Sequence, residues 1–268
     1  MIEIQDLLYS YPDGTIALDS VDLHIGKGEF VVIAGRNGSG KSSLVRHMNA
    51  LLLPSGGCVS VNRLCTLQKK NHPDIRKAIG MVFQGPDSQF IGMTVEEDVA
   101  FGPENLGLPP LRIRELVEIS LEMMGISELR FHSPRSLSGG QKQKVAIAGV
   151  LAMEPGCIVF DEVTSMLDPF SRKDVLDAVK RIHAKGTTVI YVTHRLEETI
   201  NADRLVIMDS GKVVADASPR DVFLQHDLEM YGIELPPVVA LSRMLTRAGF
   251  PGIGIALTKD ELLEALCP

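Results

Sequence analysis

No excess of positive charge marks this chain: its 268 residues carry 27 lysines and arginines against 34 aspartates and glutamates, a net charge of -7. That balance gives no global attraction for a polyanion, so nucleic acid is not expected as the main partner. A cysteine framework is missing too. Cys58, Cys65, Cys157 and Cys267 are scattered without a C-x-x-C pair, which speaks against a disulfide scaffold or zinc site and fits a reducing compartment. They read as small buried hydrophobes or idle thiols. No uncharged apolar run approaches the ~20 residues that a bilayer span needs, so a membrane role has to come through a partner. Met1 to Asp6 offers neither a basic n-region nor an apolar h-region and predicts no secretion signal. Fixed-period repeats and low-complexity tracts are absent as well. The length allows one large domain and a small one.

What is present begins with Gly35-Arg-Asn-Gly-Ser-Gly-Lys-Ser42, the G-x-x-x-x-G-K-[ST] spacing of a P-loop, directly after the apolar stretch Phe30 to Ala34. The glycines let successive backbone N–H groups turn into one concavity, Lys41 adds a mobile positive charge, and the Ser42 hydroxyl can ligate Mg²⁺. Leu44, Val45, Met48 and Leu51 give the following segment a helical period, so its N-terminus faces the phosphates of a bound nucleoside triphosphate.

Around this unit strands alternate with helices. Ile79 to Phe83, Cys157 to Phe160, Thr187 to Val192 and Arg204 to Met208 read as buried strands of a three-layer α/β core. The alternating residues 1–34 and a hairpin turning at Asp209 to Lys212 predict an antiparallel edge that makes the whole sheet mixed. Between Gln84 and Glu154 the pattern is helical, with capping boxes at Thr94/Glu97 and Ser138/Gln141, which predicts a helical subdomain inserted in the core. Beyond residue 218 come short helices: a capped start at Ser218, an amphipathic stretch from Val239 to Ala248, and a cap at Thr258.

The strand Cys157 to Phe160 runs into two adjacent carboxylates. An acid at the end of such a strand completes the Mg²⁺ shell in a P-loop protein, which assigns Asp161, and Glu162 is placed to accept a proton from the attacking water or to orient it. His194 follows another strand ending at the same edge, where it can contact the γ-phosphate. Leu137-Ser-Gly-Gly-Gln141 opens a helix with an anion-binding N-terminus; an ordinary cap and a second nucleotide contact are both open readings of Ser138.

Taken together these segments resemble the nucleotide-binding subunit of an ABC transporter. The matching motifs are Walker A at Gly35 to Ser42, the Q-loop at Gln84, the signature at Leu137 to Gln141, Walker B at Cys157 to Asp161 with Glu162 next, the D-loop at Ser165 to Asp168, and the switch histidine His194. A narrower likeness, to the ATPase of energy-coupling factor importers of vitamins and of cobalt or nickel ions, lies in Val82 to Phe90, Val95 to Gly107, Val145 to Pro155 and Gly232 to Pro236. Ser43, Lys144 and Arg195 stand where the family often has threonine, arginine and aspartate.

The resemblance implies an ABC-type P-loop fold: an ATPase domain over residues 1–224, its helical subdomain at about 85–154, and a small extension over 225–268 that dimerises. It implies ATP and Mg²⁺ as cofactors. Tyr11 would stack on adenine, with nucleotide contacts from Gly35, Asn37, Gly38, Ser39, Gly40, Lys41, Ser42 and Ser43, and from Ser138, Gly139, Gly140 and Gln141 across a dimer. Ser42, Gln84 and Asp161 would hold the metal; Glu162, His194, Lys41 and Gln84 would serve catalysis. Expected partners are a second ATPase subunit, identical or paralogous, a transmembrane coupling subunit and a separate substrate-binding membrane subunit, at the cytoplasmic face of the membrane. Phe90, Ile91 and Met93, beside Gln84, are the expected docking surface for the membrane partner. Rival readings are a soluble ATPase of DNA repair or chromosome organisation, and an accessory subunit that binds ATP without hydrolysing it; the acidic balance and the absence of long coiled coils oppose the first, Glu162 and His194 the second.

Overall fold

A computed structural model describes residues 1–250 and 254–266. The chain opens with β1 (Ile2–Ser10) and β2 (Ile16–Ile25), paired antiparallel from Ile2↔Ile25 to Ser10↔Ile16. The buried strand β3 (Phe30–Gly35) leads through the P-loop into α1 (Lys41–Met48). Then come β4 (Gly56–Val61), β5 (Leu64–Cys65), α2 (His72–Ala78) and β6 (Ile79–Val82). The helical segment holds α3 (Val95–Asn105), α4 (Pro110–Met124) and α5 (Gly139–Leu151). The core resumes with β7 (Cys157–Asp161), α6 (Pro169–Ala184), β8 (Thr188–Thr193), β9 (Arg204–Asp209) and β10 (Lys212–Ala217), and the tail carries α7 (Pro219–Gln225), α8 (Pro237–Arg247) and α9 (Lys259–Leu266).

Two sheets result. The six-stranded one runs β10-β9-β3-β8-β7-β6, parallel throughout except for β10, which returns antiparallel on β9 through Ser210 and Gly211, both at positive φ (47° and 79°). Every residue of β3, β6, β7 and β8 is buried, as expected for parallel strands covered on both faces. Alternate residues of β3 serve two cores: Phe30, Val32 and Ala34 face the side packed by α3–α6, Val31 and Ile33 the side packed by α1 and the early strands.

The early strands correct one expectation. They do not form an edge of the mixed sheet but a separate four-stranded antiparallel sheet, β2-β1-β4-β5. Both edges of β1 are already paired, with β2 and with β4. Its alternating Ile2, Ile4 and Leu7 are buried on one face only, so this sheet packs over the core as a layer.

Three helices start where side chains cap them. Thr94 and Glu97 close a capping box at α3, Ser138 and Gln141 at α5, while Ser218 caps α7. In the tail, Leu228, Ile233 and Val239 join the main core, Leu262 and Ala256 form a small cluster of their own, and Leu241, Leu263 and Leu266 remain exposed. The cysteines are less scattered than their spacing suggests: the sulfurs of Cys58 and Cys65 lie 3.7 Å apart on β4 and β5. Cys157 is buried in β7, its thiol pushed up to about 12 by desolvation; Cys267 lies outside the described residues.

Candidate nucleotide site at the carboxyl edge of the parallel sheet

Strands β3, β7 and β8 are neighbours in register, with Ala34↔Thr193 and Asp161↔Val192, so the P-loop, the Asp161-Glu162 pair and His194 all emerge from one edge. That edge is where open α/β sheets bind ligands. The P-loop is pressed against the core so closely that a Cβ on Gly35 would lie 2.2 Å from the Met208 carbonyl oxygen, and one on Gly40 2.5 Å from that of Ala17. Gly40, at φ 102°, enters α1 with no side-chain cap. The amide groups of the first turn are thus left to point toward the mouth of the loop. Ser39 Oγ is buried with no hydrogen-bond partner among the described residues.

Lys41 is buried and donates from Nζ to the carbonyls of Gly35 and Arg36, both at 2.9 Å, with Glu162 Oε1 at 3.8 Å. Desolvation pushes its ammonium down from the usual range, and the carboxylates of Glu162 and Asp161 pull it back up. Ser42 Oγ donates to Asp161 Oδ1 at 2.8 Å. Burial pushes Asp161 up, opposed first by that hydrogen bond. Tyr11 and Ser43 share a hydroxyl–hydroxyl bond of 2.8 Å, and Tyr11 stands edge-on to Tyr9 at 5.1 Å.

Glu162 has φ 52°, a left-handed conformation that a side chain rarely adopts. Its N–H bonds the Val192 carbonyl at 3.1 Å, and its own carbonyl accepts from Ser165 Oγ at 2.8 Å. Ser165 Oγ in turn accepts from Gln84 Nε2 at 2.9 Å, and His194 Nδ1 is 3.7 Å from Glu162 Oε2. Lys41, Ser42, Asp161, Glu162, His194 and Gln84 therefore form one connected constellation. A cleft of about 400 Å³ opens beside it, between Gly35, Arg36 and Asn37, His194 and tail residues 232–234. A cavity of about 380 Å³ between α7 and α8 is of similar size but has no phosphate-binding loop; chemistry, not volume, singles out the cleft.

Ser138 to Gln141 lies elsewhere. Ser138 accepts from the Gln141 N–H at 3.4 Å and Gln141 Oε1 from the Ser138 N–H at 3.0 Å. The glycines between them sit against Leu167 and Ser171.

Known proteins resemble this chain. The sequence model of the ABC transporter family matches residues 18–165. An energy-coupling factor transporter ATP-binding protein of Methanosarcina acetivorans is 50% identical over 249 residues, 93% of this chain and 91% of the relative. One from Clostridium novyi is 47% identical across 100% of this chain and 98% of its own. The chain belongs to the ABC transporter family, among the energy-coupling factor ATP-binding subunits.

Solved ABC ATPases have the same fold. CbiO1 from Clostridium perfringens, described as part of the ABC transporter complex cbiONQ, superposes with a TM-score of 0.79 at 34% identity, covering 90% of this chain and 98% of that one. The dimeric bacterial ABC cassette MJ0796 gives 0.74 at 31%, covering 82% and 99%, and has also been solved after hydrolysis with ADP and Pi. This ABC subunit is accordingly an ATP-binding protein and an ATPase. Two of its residues have roles in the site that the sequence did not show. Ser165 was legible only as part of the D-loop, not as the link between Gln84 and Glu162; Glu198 sits in a polar run that reads as solvated, yet is buried. Of the departures from family pattern, Lys144 pairs with Asp174 of α6 at 3.0 Å, while the Arg195 N–H bonds Thr193 Oγ1 at 3.0 Å.

Proposed function

We propose that this ATPase hydrolyses MgATP at a site completed by a second ATPase subunit, and that hydrolysis powers uptake of a micronutrient, a vitamin or a cobalt or nickel ion, through an energy-coupling factor importer. The observation that carries the reading is the Ser42–Asp161 hydrogen bond of 2.8 Å with Lys41 and Glu162 3.8 Å apart beside it. A hydroxyl and a carboxylate are hard oxygen donors suited to Mg²⁺. Among the described residues no group of three or more His, Cys, Asp or Glu could hold a metal alone; Ser42, Asp161 and Gln84 would share the ion with phosphate oxygens and water. Bound there, Mg²⁺ supplies charge neutralisation on the phosphates.

The chain's own residues do the rest. Lys41 and the uncapped amides of α1 hold the phosphate oxygens and stabilise charge on the transferring phosphoryl group. Glu162 takes up a proton from the attacking water or orients it, with His194 contacting the γ-phosphate. Gln84, tied through Ser165 to the backbone of Glu162, reports the state of the site to the helical segment, and Tyr11 flanks the base. Ser138, Gly139, Gly140 and Gln141 contact the nucleotide of the second subunit. Exposed Ile91 and Met93, just beyond Gln84, suit docking to a transmembrane coupling subunit, while a separate membrane subunit selects the solute. Exposed Leu241, Leu263 and Leu266 suit a dimer contact of the extension over 225–268. No described helix is long and apolar enough to cross a membrane; attachment to the cytoplasmic face goes through these partners.

The test is to purify the chain with its native membrane partners, identify the bound solute, and assay uptake in proteoliposomes with Glu162→Gln alongside. Turnover should fall about 100-fold or more, roughly 2.7 kcal/mol, with ATP still bound. Normal hydrolysis by Glu162→Gln would remove its catalytic role, and a complex that takes up no micronutrient would remove the transport assignment.

A further inference from the structure

Behind the site, the loops carrying Glu162 and His194 are joined by a buried carboxylate that the proposed reaction leaves unused. Glu198 lies four residues beyond His194, in a short turn, and its side chain is only 3% exposed. Three hydroxyls converge on it: Thr193 Oγ1 donates at 2.7 Å, Thr164 Oγ1 at 3.0 Å and Tyr191 Oη at 3.1 Å. Arg172 Nε of α6 stands 3.7 Å from Oε1. Tyr191 and Thr164 are also 2.8 Å apart. Burial first, and then the charge of Glu198, push the tyrosine well above its ordinary range, so it remains a donor.

Its partners come from two segments beside the site, Tyr191 and Thr193 from β8, and Thr164 and Arg172 from the stretch that joins β7 to α6 and the first turn of that helix. Thr193 precedes His194, and its hydroxyl also accepts the Arg195 N–H at 3.0 Å, so the backbone on both sides of the histidine is held. Thr164 is two residues after Glu162. Arg172 donates to the Leu167 carbonyl at 2.9 Å, fixing the loop between β7 and α6. A buried carboxylate is costly to desolvate and is no better for stability than apolar packing unless it specifies an arrangement. The arrangement specified here includes the left-handed Glu162, a conformation that persists only when its surroundings over-determine it.

We propose that Glu198 is a positioning residue for ATP hydrolysis: by holding Thr193 and Thr164 it sets the separation of His194 from Glu162, 3.7 Å between Nδ1 and Oε2. The inference rests on the roles given to Glu162 and His194 under Proposed function. It makes the two loops one rigid unit, so that a displacement on either is felt at the other.

The experiment measures single-turnover and steady-state hydrolysis, ATP affinity and thermal unfolding for the full chain in its transporter complex, comparing Glu198→Gln, Thr193→Val, the double variant and Glu162→Gln. Misplacement of a catalytic pair costs rate far more than binding, so Glu198→Gln should lower turnover roughly 10- to 100-fold. Its ATP affinity should stay within about 3-fold of the parent's. Thr193→Val removes one of the three hydroxyl contacts and should lose less; in the double variant it should add almost nothing, because both changes break one clamp. A purely structural role would instead lower the unfolding temperature and leave turnover per folded molecule intact. Normal turnover in Glu198→Gln with an inactive Glu162→Gln overturns the positioning role alone; normal turnover in both removes the catalytic reading and this role with it. Should Glu198→Gln fail to fold, Thr193→Val decides: a rate equal to the parent's overturns the proposal.

Discussion

At Gly40 the chain enters α1 with no side chain over the helix end, whereas at Ser138 it enters α5 under a closed capping box. Both turns are glycine-rich, and both begin helices whose dipoles favour an anion. The difference lies in who satisfies the amide groups. Around α1 they are left for a ligand, the loop is forced into place by carbonyls of Ala17 and Met208, and Lys41, Ser42, Asp161 and Glu162 gather beside it. Around α5 the chain satisfies its own donors with Ser138 and Gln141, and Ser138 and Gly139 stay exposed. On the function proposed above, one end is a site within a single chain and the other is a surface that a second subunit meets. A substitution should therefore disturb binding at the first and assembly at the second.

Ser138→Arg is the largest expected break. Its bulk and charge should poison the site completed by the neighbouring subunit, cutting steady-state hydrolysis by about 100-fold or more, while ATP still binds the variant's own P-loop. Lys41→Ala should lose binding and turnover together. Differently tagged subunits in mixed dimers, assayed for nucleotide affinity and rate, separate the two cases. If Ser138→Arg lowered affinity at its own P-loop as Lys41→Ala does, the contrast between the helix ends would collapse.

Next comes the glycine comparison, read by urea unfolding. Gly40→Ala must adopt φ 102° with its Cβ 2.5 Å from the Ala17 carbonyl, so it should cost at least about 2 kcal/mol. Gly139→Ala meets nothing nearer than Leu167 Cδ2 at 3.8 Å and should stay within about 0.5 kcal/mol of the parent. Equal losses would mean that the P-loop relaxes more freely than its packing indicates.

The same contrast explains what was legible in the sequence. The P-loop, the strand ending in Asp161-Glu162 and both capping boxes depend on residues within a few positions of one another, and local pattern displays them. Which sheet β1 and β2 join does not: a period of two says that one face is buried, not against what. The constellation's linkers are longer in reach. Thr164 meets Glu198 across 34 residues and Gln84 meets Ser165 across 81, and nothing in a polar run such as Arg195 to Thr199 distinguishes the buried acid from its exposed neighbour Glu197. The left-handed φ of Glu162 is likewise a product of packing, since the residue type argues against it.

Removal of the α5 cap sharpens the comparison at smaller scale. Ser138→Ala leaves the Gln141 N–H without its acceptor and should cost about 1 kcal/mol, lowering the unfolding temperature by roughly 2–4 °C for a chain of this size. Helix α1 has no equivalent side chain to delete. An unchanged unfolding temperature in Ser138→Ala would show that solvent satisfies the turn as well as serine does.

The smallest effect concerns the hidden faces of the two helices. Helix α5 buries Val145, Ile147 and Ala148, but α1 buries His47, with Nδ1 donating to the Ser43 carbonyl at 2.7 Å and Tyr9 edge-on at 4.7 Å. Desolvation pushes this imidazole below its ordinary value of 6.5. The folded state therefore takes up the proton less readily than the unfolded chain. Its stabilising effect is complete above the unfolded value and is lost as pH falls through 6.5 toward the folded one. Between pH 7.5 and 6.0 the loss can reach about 0.8 kcal/mol, the ceiling set by proton uptake in the unfolded chain alone. His47→Gln keeps a donor for the Ser43 carbonyl and cannot titrate, so the parent should lose unfolding free energy relative to the variant as pH falls, by up to that amount. A flat difference across the window would mean that α1 opens far enough to protonate His47 while the rest of the fold stays intact, and that the P-loop helix is looser than its buried face indicates.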